Sequence, residues 1–321
     1  MAHIHKKDNL LIMREIKVQA KSLSALSFRK SLFELTYTWG RIGLILYFYI
    51  YFQTWWAFVI AFILIGATQY ALLILLHDAS HTLIHSNKKI NNTIALWFIA
   101  APCGSSFFNS RRLHLLHHQN LGRLSEDPDF FYYSFDGVSP KNSRKKLVLH
   151  FIKLICGAQI YHTLFNDDKN TNQQQENLRL KIINSFRALL PVLVVQSIIF
   201  SIFFFLNIWW CYFFLWVLPL ITLAVFLNGL RTFADHANPM PDDFNTNNLA
   251  ITYQSNSLEL FFLAPFHMNY HAEHHLFPYV PHYNLYKIRE LINQYPSLKE
   301  NIQFRKSYLG TLINYFHSLK N

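Results

Sequence analysis

Four apolar stretches, arranged as two close pairs, decide what class of fold this chain can adopt. A bilayer core about 30 Å thick is crossed by about 20 mostly apolar helical residues. The first pair runs from Tyr37 to Leu76, "YTWGRIGLILYFYIYFQTWWAFVIAFILIGATQYALLILL", with "QTWW" as its turn. The second runs from Phe186 to Leu230 and is broken near "LNIWW", Leu206–Trp210. Neither turn carries a charge, and both have tryptophans where an interfacial belt would place them. Composition agrees: 52% of residues are hydrophobic and 15% charged, against about a quarter charged in soluble domains. The expected fold is an all-α integral membrane protein with four transmembrane helices in two hairpins.

Charge sets the orientation. The net charge of +11 comes from basic residues that flank the apolar blocks, in residues 1–35, Ser86–Lys181 and after Gly229. They are not interleaved with base-stacking aromatics, so nucleic acid is not an expected partner and a membrane surface is. By the positive-inside rule all three regions face the cytoplasm, and the charged residues 1–30, with no apolar core of a signal peptide, are expected to stay there. Both termini are thus expected on the cytoplasmic side. Residues 92–108, "NTIALWFIAAPCGSSFF", are apolar but short and interrupted by Pro102 and Gly104, which suits an interfacial or re-entrant segment. Residues 304–319 suit either an amphipathic helix on the headgroups or a surface helix of the cytosolic part. The polar run 166–181 reads as a loop dividing the chain into halves. Cys103, Cys156 and Cys211 are three in number, lack CxxC spacing and sit in apolar surroundings, as packing residues do.

Of the 17 histidines, eight fall in three clusters: "HDASH" (His77, His81), "HLLHH" (His114, His117, His118) and "HAEHH" (His271, His274, His275). Spacings of three and four place the members of each cluster on one side of a helix. The intervening pair of crossings returns the chain to the side it left, so the expected topology gathers all eight on the cytoplasmic face. His236, in "RTFADH", lies just past the last crossing and makes a ninth. A single histidine at a helix end is ordinarily a hydrogen-bonded residue, but nine on one face exceed what one ion takes. Two metal ions with four or five nitrogen ligands each fit the count.

Imidazole serves zinc, copper, iron and nickel, so ligand type leaves the metal open. There is no HExxH, which removes the metalloprotease arrangement, and no paired ExxH of the ferritin-like kind. Nitrogen-rich metals beside an apolar bundle suit redox chemistry on a lipid better than hydrolysis. Asp78, Asp235 and Glu273, each next to a clustered histidine, either accept the second ring N–H of a ligand or cap helices and face solvent. Gln69, two turns before His77, either lines a cavity or bonds a neighbouring helix. Arg111 and Arg112 suit positive-inside charge, with an anionic lipid head as the alternative.

Together, "HDASH", "HLLHH", "NYHAEHHLFPYVPHYNL", the "EDPD" at Glu126–Asp129 and "RTFADHA" at Arg231–Ala237 resemble the membrane fatty acid desaturase superfamily. The resemblance spans residues 37–290, leaving a cytosolic segment 1–36 before it and a segment 291–321 after it. It implies a four-helix transmembrane bundle capped by a cytosolic helical domain, with two iron ions held by His77, His81, His114, His117, His118, His271, His274 and His275, and His236 matching an additional ligand. Dioxygen would be the co-substrate and a lipid-linked fatty acyl chain the substrate, losing two hydrogens to form a C=C bond. The HxxxH first box is one residue shorter than in the animal and yeast acyl-CoA enzymes, and Thr232 stands where those enzymes place an asparagine that holds a metal-bound water. No "HPGG" segment of a fused cytochrome b5 is present, so a separate donor such as ferredoxin, rubredoxin or cytochrome b5 is implied. Within the same superfamily, hydroxylation, ketone formation or oxidative decarboxylation of a fatty acid or carotenoid is the alternative. A metal transporter is disfavoured because the histidines lie beyond the helix ends, away from mid-membrane.

Overall fold

The computed structural model describes residues 2–123, 126–130, 143–157, 178–236, 250–299 and 302–319. The part of the polar run up to residue 177, and Ala237, lie outside the described residues. The chain divides into two compact units, one of residues 28–117 and 148–229, the other of residues 1–27, 118–147 and 230–321.

The first unit is built of long helices. Phe28–Phe52 and Trp55–Ser80 are joined at Gln53, whose φ of 48° reverses the chain. Thr54 then caps the second helix by accepting a hydrogen bond from the Ala57 amide. Ala57, Ala61, Ile65, Thr68 and Leu72 of that helix recur every three or four residues and are buried, as a helix inside a bundle requires. At Gly66 the neighbouring helix comes so close that a Cβ would lie 2.8 Å from Leu223 Cδ2, a small-residue contact of the kind that lets membrane helices approach. Leu178–Phe205 follows, then a break at Asn207 (φ 59°), then a helical run Tyr212–His236 that begins with two π-helical turns.

Three helices among the described residues are long and apolar enough to cross a membrane: Trp55–Ser80, Ala188–Phe205 and Tyr212–His236. The fourth expected crossing lies in Phe28–Phe52, which is not among them: from Tyr37 onward its apolar run is diluted by Arg41 and by four tyrosines. That helix presents Phe33, Tyr37, Leu44, Tyr47 and Tyr51 outward along one side. Residues 92–108 begin inside a seven-residue helix, Lys88–Ile94, continue through a six-residue π-helical stretch, Ala95–Ala100, and a turn with Gly104 at φ 64°, and end in the helix Phe107–Asn120. Neither helical piece approaches the length of a crossing. Gln196 Nε2 donates to the carbonyls of Ala101 and Pro102 at 3.0 and 2.8 Å, satisfying the groups Pro102 leaves outside a helix.

The second unit packs Ile16 and Ala20 of helix Ala2–Leu23 against Leu285, Ile288 and Ile292 of helix His282–Asn293, with Phe277 and Val280 in the same core. It also contains a two-stranded parallel sheet, Ile251–Tyr253 with Gln303–Arg305, which departs from the expected all-α fold. Strands of three residues are too short to show a two-residue period, and burial of the β-branched and aromatic side chains of Ile251, Thr252 and Tyr253 drives the pairing. Residues 304–319 pack one side within this unit and leave Phe304, Leu309 and Ile313 exposed. Helix Tyr308–Ser318 buries Tyr308 and Tyr315, and Glu259 Oε1 accepts from Ser307 Oγ at 2.7 Å and from the Leu309 amide at 2.9 Å.

Candidate metal centre

In the first unit, His77 stands in the last turn of Trp55–Ser80 and His81 caps it. Thr82, at φ 65°, then turns the chain sharply. The turn is pinned by buried Asn91, which accepts from the Ile84 amide at 3.2 Å and donates to the Ala79 carbonyl at 3.0 Å. Helix Phe107–Asn120 brings His114 to this group: His81 Nε2 and His114 Nε2 are 2.7 Å apart, and the rings of His77 and His114 are 4.2 Å apart. One ligand atom from each of these three histidines falls within 4.8 Å of the others. His117 is buried on the same helix, its ring 6.2 Å from that of His114. Arg111 bonds Thr82 Oγ1 and Asn92 Oδ1 at 3.1 and 3.4 Å, and Arg112 bonds Asn109 Oδ1 at 3.0 Å. Arg111 therefore braces the first cluster's turn from within. Gln69 donates to the Trp216 carbonyl at 2.8 Å, the helix-bonding role.

Burial, seconded by His77 and Arg111 and opposed by Asp78, lowers His81 from an ordinary histidine value to about 3. Its imidazole is neutral at pH 7 and keeps a lone pair for a metal.

In the second unit, the six-residue helix His271–Leu276 carries the third cluster. His271 Nε2 lies 3.0 Å from His236 Nε2 and 3.0 Å from His275 Nε2, and His274 Nε2 lies 3.1 Å from His118 Nε2. A ring nitrogen offers one in-plane site, either a proton or a lone pair, so His271 Nε2 cannot make two good hydrogen bonds at once. A metal ion accounts for the convergence. Imidazole binds a first-row divalent ion at about 2.1 Å, and two such bonds at right angles set their nitrogens about 3.0 Å apart. The donor set therefore fits a metal.

The three carboxylates behave differently. Asp78 Oδ1 is 3.4 Å from His77 Nδ1. Asp235 reaches across to the other histidine of its group, its Oδ2 lying 3.9 Å from His271 Nδ1, and pairs with Arg231 Nε at 2.8 Å. Glu273 turns instead toward Thr252 Oγ1 and Arg289, the latter at 3.3 Å. Helical periodicity explains this: at 100° per residue, position 273 points away from the side shared by 271, 274 and 275. Burial pushes the Glu273 carboxyl above its ordinary range, against the pull of Thr252 and Arg289.

A sequence model of the family described as fatty acid desaturase matches residues 53–305, most of the chain and all nine histidines. The chain belongs to the fatty acid desaturase family. Curated relatives agree. It is 27% identical to dihydrorhizobitoxine desaturase of Bradyrhizobium elkanii over 76% of this chain and 70% of that protein. It is 22% identical to an sn-1 acyl-lipid omega-3 desaturase (ferredoxin) of Nostoc sp. (strain 36), over 78% and 71%. It is 27% identical to a putative sphingolipid delta(4)-desaturase/C4-monooxygenase of Caenorhabditis elegans, over 72% and 57%. Membership in the desaturase family makes this chain an oxidoreductase.

What sequence reasoning missed in this desaturase-family protein is the buried support around the histidines: Arg231, Thr252, Arg289 and Tyr308. Arg231 and Asp235 stand four apart on one helix, a signal that was available. Thr252, Arg289 and Tyr308 reach the site from distant segments and leave no local pattern.

Proposed function

We propose that the protein is an integral membrane enzyme that introduces a C=C bond into a lipid-linked fatty acyl chain, using dioxygen and electrons from a separate donor protein such as a ferredoxin, rubredoxin or cytochrome b5. The observation that carries the reading is the approach of His236 and His275 to His271 Nε2 in a desaturase-family chain. His77, His81 and His114 would supply one iron and His236, His271 and His275 the other, with His117, His118 and His274 completing two sets of four or five nitrogens. A pair of irons supplies, when bound, the dioxygen activation needed to break an unactivated C–H bond, which no side-chain base can do. The reaction balances as –CH2–CH2– + O2 + 2 e⁻ + 2 H⁺ → –CH=CH– + 2 H2O.

The chain's own residues have three tasks. Neutral, half-buried imidazoles such as His81 keep their lone pairs at working pH. The apolar helices Trp55–Ser80, Ala188–Phe205 and Tyr212–His236 offer the acyl chain a dry path and hold its methylenes in place. Basic residues flanking those helices keep both termini and the histidines on the cytoplasmic side, with Phe28–Phe52 as the fourth crossing.

A second reading, oxygen insertion, is favoured by one observation: the C. elegans relative is named as both a desaturase and a C4-monooxygenase. Expression of wild type and His274→Ala in a host supplied with iron and an electron-transfer system, followed by mass spectrometry of total lipids, tests both. Loss of two hydrogens from acyl chains with wild type only supports desaturation, and gain of one oxygen supports hydroxylation. Lipids identical in the two strains count against either.

A further inference from the structure

We propose that the helix Arg144–Ile155 is a membrane-surface element that lies at the boundary of acyl chains and headgroups and gathers anionic phospholipids through Lys145, Lys146 and Lys153. The inference rests on the reading of the long apolar helices as membrane crossings. This helix has two apolar sides. Leu147, His150 and Leu154 are buried, and their spacing of three and four makes them its packing face. Val148, Leu149, Ile152 and Ile155 are 42–50% exposed. At 100° per residue they share an arc of about 120° on the opposite side. A surface helix of a protein in water needs only the packing face to be apolar, so the second face requires another apolar medium. Lys145, Lys146 and Lys153 are exposed as well. Lys146 and Lys153 border the second face, and Lys145 opens it in the first turn.

One ring contact sets the depth of the helix. Phe151 meets Phe226 edge-on, with centroids 6.2 Å apart and planes at 81°. Phe226 lies in the helical run Tyr212–His236, which carries no charge before Arg231. Five residues place Phe226 about 7 Å to the apolar side of that first charge, within the roughly 5–10 Å by which interfacial helices enter the acyl boundary. Lysine suits the two media that meet there, because its carbon stem lies along apolar surface while the ammonium reaches the headgroups. The helix holds no carboxylate, so its exposed ammonium groups select a negatively charged headgroup. It belongs to the segment Ser86–Lys181, expected at the cytoplasmic leaflet, where anionic lipids collect. An acidic protein partner would satisfy the same lysines, but a partner that comes and goes leaves four large aliphatic side chains in water between encounters, and a bilayer does not.

The chain carries its own probe position. Cys156, whose apolar neighbours suggested packing, is exposed, whereas Cys103 and Cys211 are buried. Its amide continues the helical bonding to the Ile152 carbonyl at 3.0 Å, which sets its thiol on the side of Val148 and Ile152. The test is the full-length protein, labelled at Cys156 with a thiol-reactive NBD fluorophore and placed in nanodiscs of phosphatidylcholine and phosphatidylglycerol in equal parts, with either lipid carrying brominated acyl chains. Bromolipid is expected to quench the label, and aqueous iodide to leave it bright. Brominated phosphatidylglycerol is expected to quench about twofold more strongly than brominated phosphatidylcholine. The triple variant Lys145→Gln, Lys146→Gln, Lys153→Gln is expected to lose that preference, as is wild type in about 1 M salt. A label quenched by iodide and untouched by bromolipid overturns this inference alone if bromolipid still quenches the native tryptophans, of which Trp55 and Trp209 are exposed. Tryptophans untouched as well overturn the membrane reading and this inference with it. Equal quenching by the two lipids, or a preference that survives in the triple variant, overturns the role given to the lysines. Protection from iodide that appears only when an acidic ferredoxin is added assigns the face to a protein partner and overturns the inference too.

Discussion

Replacing Arg289 by methionine should destabilise the unit that carries the third histidine cluster by an amount the structure sets. Glu273 is completely buried in helix His271–Leu276, and its charge is met by Arg289 at 3.3 Å and by Thr252. Removing one member of a buried ion pair costs about 3–5 kcal/mol. Because Thr252 remains and methionine keeps the apolar stem packed near Phe304, over which the guanidinium lies at 4.7 Å, the lower end applies, about 3 kcal/mol. For a unit of this size that is roughly 6–12 °C of melting temperature. The deficit also depends on pH in a definite direction. Burial already holds the Glu273 carboxyl above its ordinary value, and loss of Arg289 raises it further. A carboxyl whose folded-state value exceeds its unfolded value favours the protonated folded protein, so stability falls as pH rises past the unfolded value. The variant's deficit should therefore widen as pH rises past the raised wild-type value of Glu273, by at most about 1.4 kcal/mol per pH unit. Adding Glu273→Gln removes the stranded charge and should restore most of the loss. Thermal unfolding of the metal-free protein, followed by circular dichroism for the four members of the cycle, is the assay, because all seven tryptophans lie in the other unit. An Arg289→Met protein melting within about 2 °C of wild type, or a double variant as unstable as the single, would refute the reasoning.

Other positions give sharper local tests. Gly66→Leu forces a side chain into Leu223 at a Cβ distance of 2.8 Å and should cost about 1–3 kcal/mol, read by the same unfolding assay. Asn91→Ala orphans the Ile84 amide and the Ala79 carbonyl, costing about 2 kcal/mol, and should lower metal content measured on the purified protein because the turn after His81 loosens. Gln69→Leu removes the bond to the Trp216 carbonyl and should cost about 1 kcal/mol while leaving metal content unchanged.

The parts of this molecule legible in its sequence are those written in local periodicity. The long apolar helices showed as runs of suitable length, and the helix His271–Leu276 showed as histidines three and four apart. The break around Asn207 showed as polar punctuation between apolar blocks. The residues that support the site were hidden because their partners are distant in sequence: Tyr308 meets Asp235 across 73 residues and Asn91 closes the turn after His81 through backbone groups. Glu273 could be read as an outer partner of a ligand or as a capping or solvent-facing residue, and the helical turn directs it instead to buried Thr252 and Arg289. The three-residue strands gave no readable alternation, and the helix of the first expected crossing begins at Phe28, nine residues before the apolar run that marked it.

The most direct test of the central claim is the metal content of purified wild-type protein, by elemental analysis per chain, beside His236→Ala and His274→Ala. The account predicts about two irons per chain in wild type, with loss of iron in each variant. Protein that is active on lipid yet holds no iron, or variants that retain both irons, would contradict it.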